Sequence, residues 1–216
     1  IMERLVGSEM CIRDSSYFTA VSNSVDQINY VNQKAKELGI KNLIAIRQDI
    51  NQLNLKNSFD RVVSIEMFEH MRNYKNLLKQ ISDIMVDDGK LFVHIFCHNQ
   101  SAYLYEVKNE RDWMTRFFFT GGIMPSKDIF NFFNEDLITT KSWEINGKHY
   151  SRTSEAWLKN MDKNSKVIKQ ILNAHYDEKN IWFYRWRIFF LTCGEFFRIN
   201  NGKEWFISHY LLRKKN

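Results

Sequence analysis

Strand-like and helix-like stretches alternate along this 216-residue chain, and that alternation restricts the fold more than any other feature. Residues 18–24 have the apolar character of a strand, residues 26–38 have helical spacing and end at Gly39, and residues 42–49 are apolar again. Strands separated by helices pair in parallel through crossover connections. The pattern therefore predicts an α/β fold with a mostly parallel sheet.

The rest of the chain continues this pattern with one interruption. We predict strands over residues 61–67, 90–98, 138–145 and 204–213, and helices over residues 73–85, 154–169 and 184–197. Turns are predicted at Asp87-Asp88-Gly89 and Asn200-Asn201-Gly202. Residues 100–137 are irregular and aromatic, so they form either a lid over a substrate pocket or an aromatic patch of the core.

The composition fits one globular domain with an insertion. Aromatic residues make up 15% of the chain, and a single proline, Pro125, leaves no stretch that resembles a linker. The net charge of +6 comes from scattered basic residues, so nucleic acid is not an expected partner. Weak contact with an anionic membrane surface stays open. No apolar run approaches the ~18 residues that a membrane helix requires.

The cysteines indicate a reducing compartment. Cys11, Cys97 and Cys193 are unevenly spaced, which predicts free thiols in the cytoplasm. His94 and His98 would share one face of a strand while Cys97 points away, so no metal site is expected.

The segment that carries the best candidates for catalytic side chains is 64–70, Ser-Ile-Glu-Met-Phe-Glu-His, where an apolar run ends. Glu66, Glu69 and His70 stand at i, i+3 and i+4, so a helix starting there would turn all three toward one side. Sites in parallel α/β folds lie at the carboxyl ends of strands, and this group could handle a cationic or proton-losing substrate. Alternatively, Glu69 caps the helix and His70 packs or faces solvent.

Several segments, taken in order, carry a family resemblance. They are FTAVSNS at 18–24 followed by Gln27, the segment 64–70, LFVHIFCH at 91–98, FFFTGGIMPS at 117–126, GKHYSRTSEAW at 147–157 and NNGKEWFISHYLLRKK at 200–215. With these motifs, the chain from about Phe18 onward resembles the S-adenosylmethionine-dependent methyltransferases of the cyclopropane-fatty-acid-synthase and coclaurine N-methyltransferase group. The resemblance implies a Rossmann-like class I methyltransferase fold whose last strand is antiparallel.

The resemblance also implies S-adenosylmethionine as the cofactor. The residues assigned to it are Ser22, Asn23, Gln27, Asp49, Ile50, Ser64 and Ile65. The first three would meet the ribose and methionine part, Asp49 and Ile50 would hold the adenine, and the last two would line the cofactor from the next strand. From the residues alone, Asn23 serves equally well as the cap of the following helix and Gln27 as a solvated side chain.

In the amine-methylating branch of the family, the resemblance gives the acidic cluster its roles. Methyl transfer from a sulfonium is an in-line displacement that depends on positioning, and an amine must also lose a proton. Glu66 and Glu69 would hold the substrate ammonium, and His70 would take its proton, a task that suits an imidazole.

The cyclopropane synthases instead form a carbocation and use a bound bicarbonate, held by a Glu, a His and a Tyr, as the base. Glu69 and His94 match the first two, but Phe189 and Phe190 stand where the tyrosine is expected, and phenylalanine cannot donate a hydrogen bond. This departure favours methylation of a small amine over modification of an acyl lipid. The residues expected to line the substrate pocket are His94, Phe119, Tyr150, Phe189 and Phe190.

The glycine-rich turn that holds the cofactor in this family, a Gly-x-Gly-x-Gly element after the first strand, has no match in the chain. Residues 1–15 offer only Gly7, so we expect them to be foreign or replaced sequence, or else an unusual substitute for that strand. Residues 16–216 are then a methyltransferase domain without its first strand, with the lid inserted at about 100–137. Such a chain should bind the cofactor poorly, and an inactive pseudoenzyme or interaction module stays open.

Overall fold

A computed structural model describes residues 16–56, 58–119 and 121–215. The described residues divide into two compact units, 16–56 and 58–215. The predictions about residues 1–15 and Gly7 fall outside the described residues. Within the described residues, no helix is both long and apolar enough to cross a membrane.

The first unit is a single strand–helix–strand motif. Strand β1 (Phe18–Ser22) pairs in parallel with β2 (Leu43–Arg47), and helix α1 (Val25–Glu37) connects them. The side chain of Asn32 binds both the N–H and the C=O of Ala45, so one helix residue fixes the helix against β2. A short 3-10 turn (Ile50–Gln52) follows. The predicted order of strand, helix and strand is confirmed.

The second unit contains the larger sheet. Its strands are β3 (Phe59–Ile65), β4 (Met85–His98), β5 (Tyr103–Leu104), β6 (Ile123–Met124), β7 (Leu137–Ile145) and β8 (Trp205–Lys214). Its helices are α2 (Tyr74–Asp83), α3 (Trp113–Phe117), α4 (Lys148–Lys163), α5 (Ser165–His175) and α6 (Ile181–Phe196), and a short segment that is not regular helix, Ile199–Gly202, follows.

The main sheet of this unit has the order β3-β4-β8-β7. β3 and β4 are parallel, and β8 is antiparallel to both β4 and β7, so the predicted antiparallel last strand is confirmed. One face is fully covered, because Leu91, Val93, Ile95 and Cys97 along β4 are completely buried. Helix α2 buries Tyr74, Leu77, Leu78 and Ile81, the i, i+3, i+4, i+7 pattern of an amphipathic helix.

Three predicted boundaries were wrong for local reasons. The helix expected over 154–169 begins at Lys148 and stops at Asn164, whose side chain donates to the carbonyl of Asn160 at 2.8 Å and competes with the helical backbone bonds. The turn expected at 87–89 lies inside β4 as an irregularity, since Phe59 pairs with Met85 while Arg61 pairs with Lys90. The helix expected to begin at Glu66 is a single 3-10 turn.

The turn predicted at 200–202 is confirmed, and its backbone explains the residue types. Asn200, Asn201 and Gly202 all have positive φ (48°, 61° and 78°), which asparagine and glycine tolerate best. The described part of residues 100–136 contains only the short elements β5, α3 and β6 and the 3-10 turn Ile129–Phe132.

Candidate active site

Strand β3 ends in a sharp change of backbone direction at Glu66. Its φ is +53°, in the left-handed backbone region that residues other than glycine and asparagine rarely adopt. The Glu66 N–H donates to the carbonyl of His94 on β4 at 3.0 Å, so the residue still belongs to the parallel ladder when the chain turns away. Left-handed residues of this kind cluster at functional sites, where surrounding contacts hold them.

Glu69 lies in the 3-10 turn Phe68–His70 directly after this bend and is only 1% exposed. Burial raises the pKa of the Glu69 carboxyl to about 9, and the negative charge of Glu66 together with a hydrogen bond between the two side chains adds to the rise. Near neutral pH, the strand end therefore holds one protonated carboxylic acid beside one carboxylate.

Side chains and backbone from other segments pack tightly around the turn that holds Glu69. Tyr74 donates its hydroxyl proton to the carbonyl of Phe68 at 3.0 Å, which fixes the turn from the α2 side. Gly122 passes directly over it, since a Cβ at that position would lie 2.5 Å from the carbonyl oxygen of Glu69. Arg72 donates from Nε to the carbonyl of Gly121 at 2.9 Å. The aromatic segment 100–137 thus contacts the acidic turn at the glycine pair.

His70 does not share a face with Glu69, so the expected helical grouping of Glu66, Glu69 and His70 is wrong. The 3-10 turn has about three residues per turn, and it places Glu69 inside while His70 is exposed. His70 faces solvent, as the alternative interpretation predicted.

His94 joins the acidic turn from the neighbouring strand. Its Nε2 lies 2.9 Å from Glu66 Oε1 in an ion-pair contact, and its Nδ1 lies 2.9 Å from Nε2 of His209 on β8. His94 and His209 are directly opposite each other in the antiparallel register. Both ring nitrogens of His94 are therefore engaged by protein groups.

The other expected pocket residues belong to one aromatic network, in which the Phe189 and Phe190 rings are 5.8 Å apart and Phe96 contacts both Phe119 and Phe197. Phe119 lies 5.7 Å from Phe189, ring centroid to ring centroid, and Phe118 stacks on Phe189 at 4.4 Å. Tyr150 stacks on Phe197 at 4.2 Å, and Phe190 lies 5.8 Å from Trp157. The structure thus brings Phe119 and Phe189 together, joining the aromatic segment to α6. Tyr150 and Phe190 are linked through Trp157, which lies 6.1 Å from Tyr150.

Ser64 and Ile65 lie on opposite faces of β3, as successive strand residues must. Ser64 is buried at the covered face beside Val93, whereas the Ile65 side chain is 54% exposed. The two side chains therefore cannot line a cofactor from the same face of the strand.

In the first unit, the polar residues after β1 bind one another. Ser22 Oγ donates to Gln27 Oε1 at 2.7 Å and accepts from the Ser24 N–H at 3.1 Å. Ser24, and not Asn23, caps α1, because its Oγ accepts from the Gln27 N–H at 3.3 Å. The Asn23 carbonyl accepts from Arg47 Nε at 3.3 Å.

The end of β2 contributes a second polar group in the same unit. Asp49 is exposed and accepts from the N–H of Asn51 at 2.9 Å, which starts the turn that contains the half-buried Ile50. An open cleft with a volume of about 450 Å³ is lined by Asn23, Arg47, Gln48 and Asp49. Its walls are polar, which suits the hydrogen-bonding groups of a nucleoside.

Several contributing residues were missed by the sequence interpretation. His209 was available as the histidine in the largely apolar run FISHYLL, although its partner is 115 positions away. Arg47 and Gln48 adjoin Asp49 and could have been found by extending the strand end. Arg72 and Tyr74 act through backbone carbonyls, for which the sequence carries no signal.

Comparison with known proteins places the chain in one group. The profile of the family described as mycolic acid cyclopropane synthetase matches residues 12–205. The chain is 40% identical to (S)-coclaurine N-methyltransferase of Papaver somniferum over 203 residues, which are 92% of this chain and 58% of that protein. It is 35% identical to pavine N-methyltransferase of Thalictrum flavum subsp. glaucum, over 91% of this chain and 57% of that protein.

Solved structures give the same grouping. A coclaurine N-methyltransferase bound to N-methylheliamine and SAH superposes with a TM-score of 0.84 at 39% identity, covering 91% of this chain and 58% of that one. A cyclopropane synthase from Mycobacterium tuberculosis superposes with a TM-score of 0.76 at 17% identity, over 92% of this chain and 70% of that one, and shows the shared fold alone. The predicted Rossmann-like methyltransferase fold is confirmed. The chain spans less than two thirds of the length of the N-methyltransferases named above.

Proposed function

Because the chain belongs to the mycolic acid cyclopropane synthetase family, we propose that its protein transfers a methyl group from S-adenosylmethionine to the nitrogen of a small amine. The observation that carries this proposal is the carboxyl pair at the end of β3, in which Glu69 stays protonated beside the negative charge of Glu66. A site with one carboxylate and one neutral acid attracts a cation such as a substrate ammonium. The similarity to N-methyltransferases supports the same choice.

The contacts of His94 and Phe189 disfavour the lipid-modifying branch. A bicarbonate base requires hydrogen-bond donors, yet Nε2 of His94 lies beside Glu66 and its Nδ1 contacts His209. Phe189 stacks on Phe118 and brings no hydroxyl to the site. The anion-binding set that the resemblance assigns to cyclopropane synthesis is therefore incomplete in this chain.

S-adenosylmethionine, when bound, supplies a methyl group on a sulfonium sulfur. The open polar cleft at Asn23 and Asp49 fits the adenosine part, because carboxylate and amide oxygens accept from amino and hydroxyl groups. The residues proposed to contact the cofactor are Ser22, Asn23, Gln27, Asp49, Ile50, Ser64 and Ile65. Since Ser64 and Ile65 face opposite ways, we assign the contact of Ser64 to its backbone and that of Ile65 to its side chain.

Three residues of the second unit are proposed to handle the amine. Glu66 attracts the ammonium, and Glu69 donates its proton in a hydrogen bond to Glu66 and so orients that carboxylate. A hydrogen bond to a charged group contributes about 1.5–3 kcal/mol. His70 is exposed and takes the proton that the amine loses, which leaves the nitrogen lone pair free to attack the methyl group.

The apolar part of the substrate is proposed to contact the aromatic segment. Phe118 and Phe119 pack on Phe189, and the glycine pair of the same segment rests on the acidic turn. This arrangement supports a lid role for residues 100–137, with His94, Tyr150 and Phe190 near the pocket wall.

We also propose a cytoplasmic location. Cys97 and Cys193 are buried free thiols, and burial raises the pKa of each to about 12, which keeps them unreactive in a reducing compartment. The net charge of +6 permits a weak contact with an anionic membrane surface.

Product analysis by mass spectrometry tests the function. The protein is incubated with S-adenosylmethionine and either a panel of secondary and tertiary amines or unsaturated phospholipid, with and without bicarbonate. We expect a methyl group on an amine, independent of bicarbonate. A methylene gained by the acyl chains and stimulated by bicarbonate would instead assign the protein to lipid modification. Glu66→Gln should suppress amine methylation, and Glu110→Gln, an exposed glutamate, is the matched control.

A further inference from the structure

Two imidazoles from adjacent strands extend the acidic site across the sheet. His94 on β4 and His209 on β8 are direct partners in the antiparallel register, with Nδ1 and Nε2 2.9 Å apart and ring centroids 4.8 Å apart. Glu66 Oε1 lies 2.9 Å from the other nitrogen of His94. The order His209, His94, Glu66 is thus a continuous line of contacts that ends at the Glu66 carboxylate.

The direction of hydrogen bonding in this line follows from proton counting. A neutral imidazole carries one N–H, and only one proton can lie between the two rings. If neutral His94 donated from Nδ1, a bare lone pair on Nε2 would face the Glu66 carboxylate. If His209 donates from Nε2, the proton of His94 stays on Nε2, the ring nitrogen that lies 2.9 Å from Glu66 Oε1. The second arrangement is favourable at both contacts.

The surroundings of His209 favour this donor role. Partial burial, and then the neighbouring His94, lower the pKa of His209, which keeps it neutral. The His209 ring faces His94 and Phe92 from β4 and Trp143 from β7. Lys141 on β7 places its Nζ 4.9 Å from the centroid of the Trp143 ring. On the opposite side of His94, the titratable groups are Glu66 and, beyond it, Glu69.

We propose that His94 and His209 are positioning residues, which hold the Glu66 carboxylate in the orientation that the substrate ammonium needs. The inference rests on the proposed amine methylation and adds to it a specific pair of residues. The left-handed backbone at Glu66 requires such support, and His94 supplies it twice, through its carbonyl to the Glu66 N–H and through its ring to the carboxylate. If the Glu66 side chain were held loosely, its carboxylate would lose part of the orientation that contact with the ammonium needs.

Kinetics of His209→Phe and His209→Gln test the role. Phenylalanine keeps the packing against Phe92 but removes the donor, whereas the amide of glutamine keeps an N–H near the former Nε2. We expect His209→Phe to raise the KM for the amine about tenfold, with kcat changed much less. His209→Gln should restore the KM. His175→Phe, at an exposed histidine, is the matched control.

Nitrogen-15 NMR of the imidazoles tests the same line without any activity. The expected spectrum has His94 protonated on Nε2 and unprotonated on Nδ1, and both His209→Phe and Glu66→Gln should change the His94 signals. A His94 proton on Nδ1 in the neutral ring, or signals unaffected by both substitutions, would overturn the proposal.

The two measurements separate the possible failures. If amines are methylated but His209→Phe leaves KM unchanged, the positioning role is wrong and the proposed function stands. If no amine is methylated while the NMR spectrum shows the expected protonation, the proposed function is wrong, and the role of the pair in aiming Glu66 at an ammonium falls with it.

Discussion

Asp49 in the first unit and Glu69 in the second are both carboxyl residues that follow a parallel strand, but their surroundings differ. Asp49 is exposed and bonded to the backbone of Asn51 two residues away. Glu69 is 1% exposed, and burial beside Glu66 raises its pKa to about 9. The surroundings of Asp49 are formed by residues next to it in the sequence. The surroundings of Glu69 combine a strand end, a turn and a glycine pair from distant parts of the sequence. Enclosed carboxyl groups of this kind acquire unusual pKa values.

The largest effect is expected from His70, which stands outside the buried acid pair. His70→Ala should lower kcat for amine methylation by roughly 10²–10⁴, the range that a general base contributes, with cofactor affinity unchanged. Steady-state kinetics and calorimetric binding of S-adenosylhomocysteine measure the two quantities. His175→Ala is the control, and an unchanged turnover at pH 7 would return His70 to a solvent-exposed structural position.

The two glutamates should differ, because only one of them carries charge. Glu66→Gln removes the charge that attracts the ammonium and should reduce kcat/KM by about 10- to 100-fold, corresponding to about 1.5–3 kcal/mol. Glu69→Gln replaces a protonated acid with a neutral amide of similar shape, so the expected loss is only a few-fold. Equal losses in the two variants would contradict the assignment of the charge to Glu66.

The raised pKa of Glu69 also predicts how stability depends on pH. In the unfolded chain Glu69 ionises near its ordinary value of 4.5, while in the folded chain it keeps its proton up to about 9. The folded state therefore binds more protons in this window, and stability falls as pH rises. Between pH 6 and pH 8 the loss should be roughly 2–3 kcal/mol, measured by urea unfolding. Glu69→Gln should remove this slope, whereas Asp49→Asn should leave it unchanged.

The smallest effect is expected in the first unit, where contacts are local. Ser24→Ala removes the hydroxyl that caps α1 and should cost about 1 kcal/mol of stability, while Ser24→Gly should cost only a few tenths. Thermal unfolding of the two variants gives the comparison. A loss from Ser24→Ala as large as that from a buried group would mean that this end of β1 is not built locally.

The sequence was most informative where structure depends on neighbours along the chain. The strand–helix–strand motif of the first unit and the turn at 200–202 follow from periodicity and from residues that tolerate positive φ. The spacing of Glu66, Glu69 and His70 misled, because the left-handed bend at Glu66 and the 3-10 turn replace the expected helix. The role of His209 could not be assigned from sequence, because the residue that it contacts, His94, is 115 positions away.

The protonation state of Glu69 tests the central claim most directly. Carbon-13 NMR of the side-chain carboxyl, followed from pH 4 to pH 10 and assigned with Glu69→Gln, reports its titration without reference to activity. The account predicts a midpoint at about 9 that falls in Glu66→Gln, because removing the neighbouring charge removes one cause of the shift. A midpoint near 4.5 would contradict it, since the strand end would then carry two carboxylates in place of a carboxylate and a neutral acid.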